Sequence, residues 1–193
     1  NFSLSKGDFK RLLVNTKSKF SNKAITINNS NIFFKDNLSE VTSIIKILNS
    51  TLFFDKKKLL NLFDLKGRVF NIPFSIDYQH SLNLKNNKRI EIEANNLRLK
   101  IVNESFEIDE NLTSGTNNVS TPSLKINTKY NVVDQSITFE SNNSRMHNSK
   151  LNYNGRLAIT PFDLDLKIDL DNYKISNLFI SNSIINEFIK SGL

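Results

Sequence analysis

The chain has no cysteine and no tryptophan, one methionine, two histidines, three prolines and five glycines in 193 residues. Without cysteine there is no disulfide, thiolate metal site or cysteine nucleophile, and every redox compartment is compatible with the composition. Five glycines supply neither a Walker loop nor a dinucleotide-binding loop. His80 in "YQHSLN" and His147 in "RMHNSK" stand in polar, loop-like stretches without a partner at metal-ligand or triad spacing, and both read as exposed. The alternating acids Asp163, Asp165, Asp169 and Asp171 lack the glycine-turned loop that wraps a calcium ion and read as a solvated strand face. Catalytic residues, metal ligands and cofactor motifs are all wanting, so a non-enzymatic role is expected.

Long apolar runs are absent too. Nothing approaches the ~20 residues that cross a bilayer as a helix, and no charged start leads into an apolar signal core. The first residue is Asn1, and the chain is expected to be a single segment, 1–193, of a larger protein whose targeting or anchoring element lies outside it. A net charge of +7 is compatible with phosphate binding, but the lysines are scattered and only "KKK" at 56–58 is a tight run. Some thirty asparagines with abundant lysine and isoleucine resemble the codon bias of an AT-rich genome, and no nucleic acid partner is expected.

What the chain does have is alternation. From 88 to 170 apolar and polar residues alternate with period two, the mark of half-buried strands. In "RIEIEANNLRLKIV" (89–102), a two-residue turn at Asn95-Asn96 pairs Ala94 with Leu97, Ile92 with Leu99 and Ile90 with Ile101 on one face. It sets Glu93 against Arg98 and Glu91 against Lys100 on the other. One long strand bulged at the asparagines is the competing arrangement. "SLKINTKYNV", "QSITFES", "KLNYNGRLAI" and "FDLDLKIDLD" continue the pattern, with Pro161 presetting a turn between the last two. The fold class is therefore all-β, an antiparallel up-and-down meander, and "SNSIINEFIKSG" adds a short C-terminal helix. The polar stretch 103–122 reads as a mobile internal loop.

The first third is apolar on both faces. "NIFFKDN" (31–37) and "STLFFDKK" (50–57) each carry a Phe-Phe pair, and adjacent strand residues point to opposite faces. Phe70, Ile72, Phe74, Ile76 and Tyr78 form a stripe interrupted by Pro73, which removes a ladder donor and calls for an edge or a bend.

The phrases "NNSNIFFKDNLSEVTSIIKI", "LLNLFDLKGRVFNIPFSIDY" and "SNNSRMHNSKLNYNGRLAITPFDLDLKIDLDNYKISNLF", with "EFIKSGL" at the end, resemble the AsmA-like proteins of Gram-negative envelopes. The resemblance covers most of the chain from about residue 22 onward. It implies a curved, repeating β-groove, or β-taco, in a periplasmic protein anchored to the inner membrane, associated with phospholipid movement or outer-membrane assembly. On that basis Phe70, Ile72, Phe74, Ile76, Phe34 and Phe54 are expected to line a groove for phospholipid acyl chains, with envelope proteins as further partners. The alternatives are a closed two-sheet sandwich for the fold and, for the role, a structural or adhesive β-module that binds protein. Periodicity alone does not separate groove from sandwich.

Overall fold

The computed structural model describes residues 19–35, 41–82 and 86–172. The expected C-terminal helix lies outside the described residues. Eleven strands follow one another in chain order: β1 (Ile25–Lys35), β2 (Val41–Asp55), β3 (Leu60–Val69), β4 (Ile72–Ser81), β5 (Lys88–Ala94), β6 (Leu99–Glu107), β7 (Leu112–Ser120), β8 (Leu124–Val133), β9 (Ser136–Met146), β10 (Ser149–Ala158) and β11 (Asp163–Leu170). Each pairs antiparallel with its sequence neighbours, giving one open sheet in the order β1 to β11. The expected meander is present. A sandwich is not, for no second sheet exists among the described residues.

Tight turns follow from local chemistry. The β3–β4 connection is the dipeptide Phe70-Asn71 with φ of 48° and 62°, the doubly positive pair that a two-residue hairpin demands. Phe70 therefore sits in a turn, and the expected stripe on β4 begins at Ile72. Pro73 is in neither an edge strand nor a bend. It is the second residue of β4 and faces Arg68, while β5 joins the ladder only from Ser75. A residue one step in from a two-residue hairpin turns its nitrogen away from the hairpin partner. The missing donor at Pro73 thus falls where β5 has not yet begun.

Asn95 and Asn96 lie at a hairpin tip as expected, but the register differs by two residues from the expected one. Ala94 pairs with Leu99, Glu93 with Lys100 and Ile92 with Ile101. A 3-10 turn at Asn95–Leu97, closed by Arg98 at φ 49°, makes a four-residue loop. The reason is burial, because Leu97 packs with Ile72 and Ala94 in a buried apolar cluster, against Phe74 and Leu99. Because the shift is even, every side chain keeps its expected face.

The expected loop at 103–122 is strand over most of its length. β6 runs to Glu107, Asp109 caps a short turn through the N–H groups of Asn111 and Leu112, and β7 takes Leu112–Ser120. Polar β7 holds its place through backbone ladders to β6 on one side and β8 on the other.

Candidate functional site

Cross-strand partners share a face, so the registers sort every paired side chain. One face carries Phe34 on β1, Ile47 and Phe54 on β2, Leu65 on β3, and Ile72, Phe74 and Ile76 on β4, and continues in the same character to Leu164, Leu166 and Ile168 on β11. Five of the six expected groove residues share this face, and Phe70 stands in the adjoining turn. From β2 to β11 its charged paired positions are Lys88 and Glu107, and these form an ion pair at 3.8 Å. The opposite face is mixed over β1–β3, mostly polar from β4 onward, and holds the network Arg89, Glu91, Glu93, Lys100 and Glu104. Arg89 meets Glu104 at 2.5 Å and Lys100 meets Glu93 at 2.8 Å. Hydrogen bonds from Lys100 and then Arg89 draw the Glu91 carboxyl down to about 2.

The Phe-Phe pairs are resolved by a change of parity. Asn29 at φ 49° and a register shift between Ile47 and Asn49 rotate β1 and β2 by one residue partway along. Phe34 and Phe54 consequently both reach the apolar face. Phe33 faces Ile44, and Phe53 faces Leu62, on the other side.

Sequence inspection finds a stripe along β4, whereas the registers reveal a longer one across the strands. Leu65, Ile76, Ile92, Ile101, Val119 and Ile126 are consecutive partners on six neighbouring strands, β3 to β8. Six strands spaced ~4.8 Å apart give an aliphatic line of about 24 Å perpendicular to the chain direction. Polar groups beside this line bond one another: Tyr130 Oη donates to Asn103 Oδ1 at 3.0 Å, Thr128 meets Tyr153 at 2.5 Å, and Ser141 meets Ser144 at 2.7 Å.

Each of the three glycines in the described residues lies on this face opposite an aromatic. Gly67 pairs with Phe74, Gly115 with Tyr130 and Gly155 with Phe139. A Cβ there would come within 3.1 Å of the Phe74 ring, 2.5 Å of the Tyr130 ring and 2.7 Å of the Phe139 ring. The rings therefore lie over glycine backbone and do not stand up from the sheet, an arrangement that protects glycine in strands.

Among the described residues no second sheet lies over the apolar face, and strand packing runs between sequence neighbours. At the end bearing the Asn71 turn Leu97 packs over Ile72 and Ala94, and a strap covers the end bearing the Lys57 turn. There Phe20 packs on Tyr78 at 6.4 Å, its N–H bonds Asn61 Oδ1 at 2.8 Å, and Lys19 Nζ stands 5.5 Å from the Phe54 ring centre. Beneath this strap His80 and Asn61 are fully buried, correcting the expectation that both histidines are exposed. Asn61 Nδ2 lies 3.5 Å from His80 Nδ1, and His80 Nε2 bonds Asn86 Oδ1. An Nε2–H tautomer satisfies both contacts. Burial, the largest influence, pushes the His80 pKa down. Nothing in "YQHSLN" signals this, because the cover comes from residues 20 and 86.

Among the described residues no group of three or more His, Asp or Glu is placed to hold a metal, and no helix is long and apolar enough to cross a membrane. The chain has no significant match to any family model, curated protein or solved structure.

Proposed function

We propose that this chain is a non-enzymatic lipid-conduit or outer-membrane-assembly module of a Gram-negative periplasm, and that its apolar face takes phospholipid acyl chains. The observation that carries the proposal is the aliphatic line from Leu65 to Ile126, which crosses six strands on a face over which no second sheet lies among the described residues. Monomeric soluble proteins rarely leave apolar patches beyond a few hundred Å² open, and larger ones mark interaction sites. One acyl layer is about 15 Å deep, half of a ~30 Å hydrocarbon core. The ~24 Å line accommodates that length with its strands still in register. Apolar contact at roughly 25 cal/mol per Å² holds such a chain without polar recognition, which agrees with the pairing of Lys88 and Glu107 with each other on this face. Curvature of the sheet into a β-taco, a periplasmic location and an inner-membrane anchor outside the chain follow from the resemblance to AsmA-like proteins and belong to the same proposal.

Native mass spectrometry of the purified chain, scored for co-purifying phospholipid, tests it. Bound phospholipid in the wild type, lost in Ile76→Asp with the fold retained, is the expected result. A lipid-free wild type, or an Ile76→Asp variant that unfolds because the face is a closed core, would transfer the assignment to a structural or adhesive module that binds protein.

A further inference from the structure

The polar face carries a line of cations that its own fold does not explain. Lys125 on β8, Arg145 on β9 and Lys150 on β10 are direct cross-strand partners, all exposed. Like charges set directly opposite one another destabilise a sheet. Folding alone would favour alternation, as in the neighbouring pair Lys129 and Glu140. Among the described residues none of the three forms an ion pair, although the four pairs around Arg89 and Lys100 show that this face can make them. Asp171 adjoins Lys150, its N–H bonding the Lys150 carbonyl at 3.1 Å, but its carboxylate is not paired with the amine. The row lies at the end of the sheet that bears the Asn71 turn, where Arg68 opposite Lys46, and Arg98 in its own turn, add further exposed cations.

We infer that this end of the sheet docks on a membrane surface through anionic phospholipid headgroups, with Lys125, Arg145 and Lys150 as its contact row. Side chains on adjacent strands stand ~5 Å apart, so one phosphate oxyanion can bridge two of these cations. The same rim is amphipathic. Leu124 and Met146, each next in sequence to a member of the basic row, pair on the apolar face and bring half-buried apolar side chains to the same edge. Basic residues beside apolar ones suit a headgroup boundary. A single-stranded nucleic acid site would instead interleave aromatic rings for base stacking. The aromatics of β8–β10, Tyr130, Phe139 and Tyr153, lie on the other face.

The test is co-sedimentation of the 193-residue chain with phosphatidylcholine vesicles containing or lacking 30% phosphatidylglycerol, at low and at physiological salt. Wild type binds the anionic vesicles selectively and loses affinity as salt rises. The variant Lys125→Gln/Arg145→Gln/Lys150→Gln loses roughly a hundredfold in partitioning, each single substitution about fivefold. Its melting temperature holds or rises, since repulsion within the row is relieved. The control Lys129→Gln/Arg156→Gln/Lys167→Gln removes equal charge elsewhere on the polar face and retains binding. Wild type that does not distinguish the vesicles, a control that loses as much as the row variant, or single-stranded DNA that outcompetes the vesicles would each overturn the inference. Ile76→Asp leaves this binding intact, so failure here and failure of acyl-chain binding are separable.

Discussion

Substituting Gly115 by Ala places a methyl group where the structure has none to spare. The added Cβ would stand 2.5 Å from Cζ and Oη of Tyr130 and 2.6 Å from the Glu104 carbonyl oxygen. The tyrosine ring can swing away, but then Tyr130 Oη leaves Asn103 Oδ1, now 3.0 Å distant. The carbonyl belongs to β6, which is held by β5 on its far side and cannot retreat cheaply. Overpacking costs typically 1–3 kcal/mol, and the lost hydrogen bond about 1 kcal/mol more, so Gly115→Ala is expected to destabilise by about 2–4 kcal/mol. Gly67 has looser contacts, 2.7 Å to the Lys46 carbonyl and 3.1 Å to Phe74, so its alanine variant should cost less. Gly155 has tighter ones, 2.3 Å to the Asp165 carbonyl, but that carbonyl belongs to β11 at the sheet edge, which can shift. Urea unfolding followed by far-ultraviolet circular dichroism measures all three. A Gly115→Ala variant within 0.5 kcal/mol of wild type, or a Gly67→Ala variant that costs more, would refute close packing of rings over glycine as a source of stability.

Three further outcomes follow. His80 is held neutral by burial, so its folded pKa lies below the ordinary 6.5. The unfolded chain then takes up the proton first, and stability is full above about pH 6.5 and declines as pH falls below it. His80→Gln should flatten that decline in pH-dependent melting and lower stability at neutral pH, and an unchanged slope would remove His80 as its source. Leu97→Ala should cost about 2–4 kcal/mol by urea titration, because Leu97 packs in the buried cluster with Ile72 and Ala94; a cost below 1 kcal/mol would speak for the shorter two-residue turn. Glu91→Gln should cost no more than about 1 kcal/mol despite the low carboxyl pKa, since exposed ion pairs contribute little. Its effect should shrink in high salt, and the wild-type contribution should fade as pH drops from about 4.5 towards about 2.

Period-two alternation made the strands and their faces legible before any coordinates. Two kinds of feature escaped it. Polar strands escaped because "TSGTNNVS" lacks the apolar residues that alternation needs, while β7 is held by backbone bonds to both neighbours. Relations between distant residues escaped as well. The burial of His80 depends on Phe20 and Asn86, the four-residue turn on Leu97 meeting Ile72, and the aliphatic line on five registers that must all be known. Ile72, Phe74 and Ile76 were identifiable as one stripe from their alternation, whereas that Phe34 and Phe54 share its face depends on the parity change at Asn29 and between Ile47 and Asn49. Phe70 was misplaced because its hydrophobicity fits the stripe, while its positive φ belongs to a turn usually given to Asn or Gly.

The claim that the apolar face carries acyl chains is tested most directly by photo-crosslinking from two adjacent positions of one strand. Ile76 lies on the aliphatic line, and Asp77, the next residue of β4, points to the polar face. A photoreactive amino acid at each position, in the chain expressed in a Gram-negative periplasm and analysed by mass spectrometry, should yield phospholipid adducts at 76 and none at 77. No adduct at 76, or adducts equal at both positions, would contradict the account.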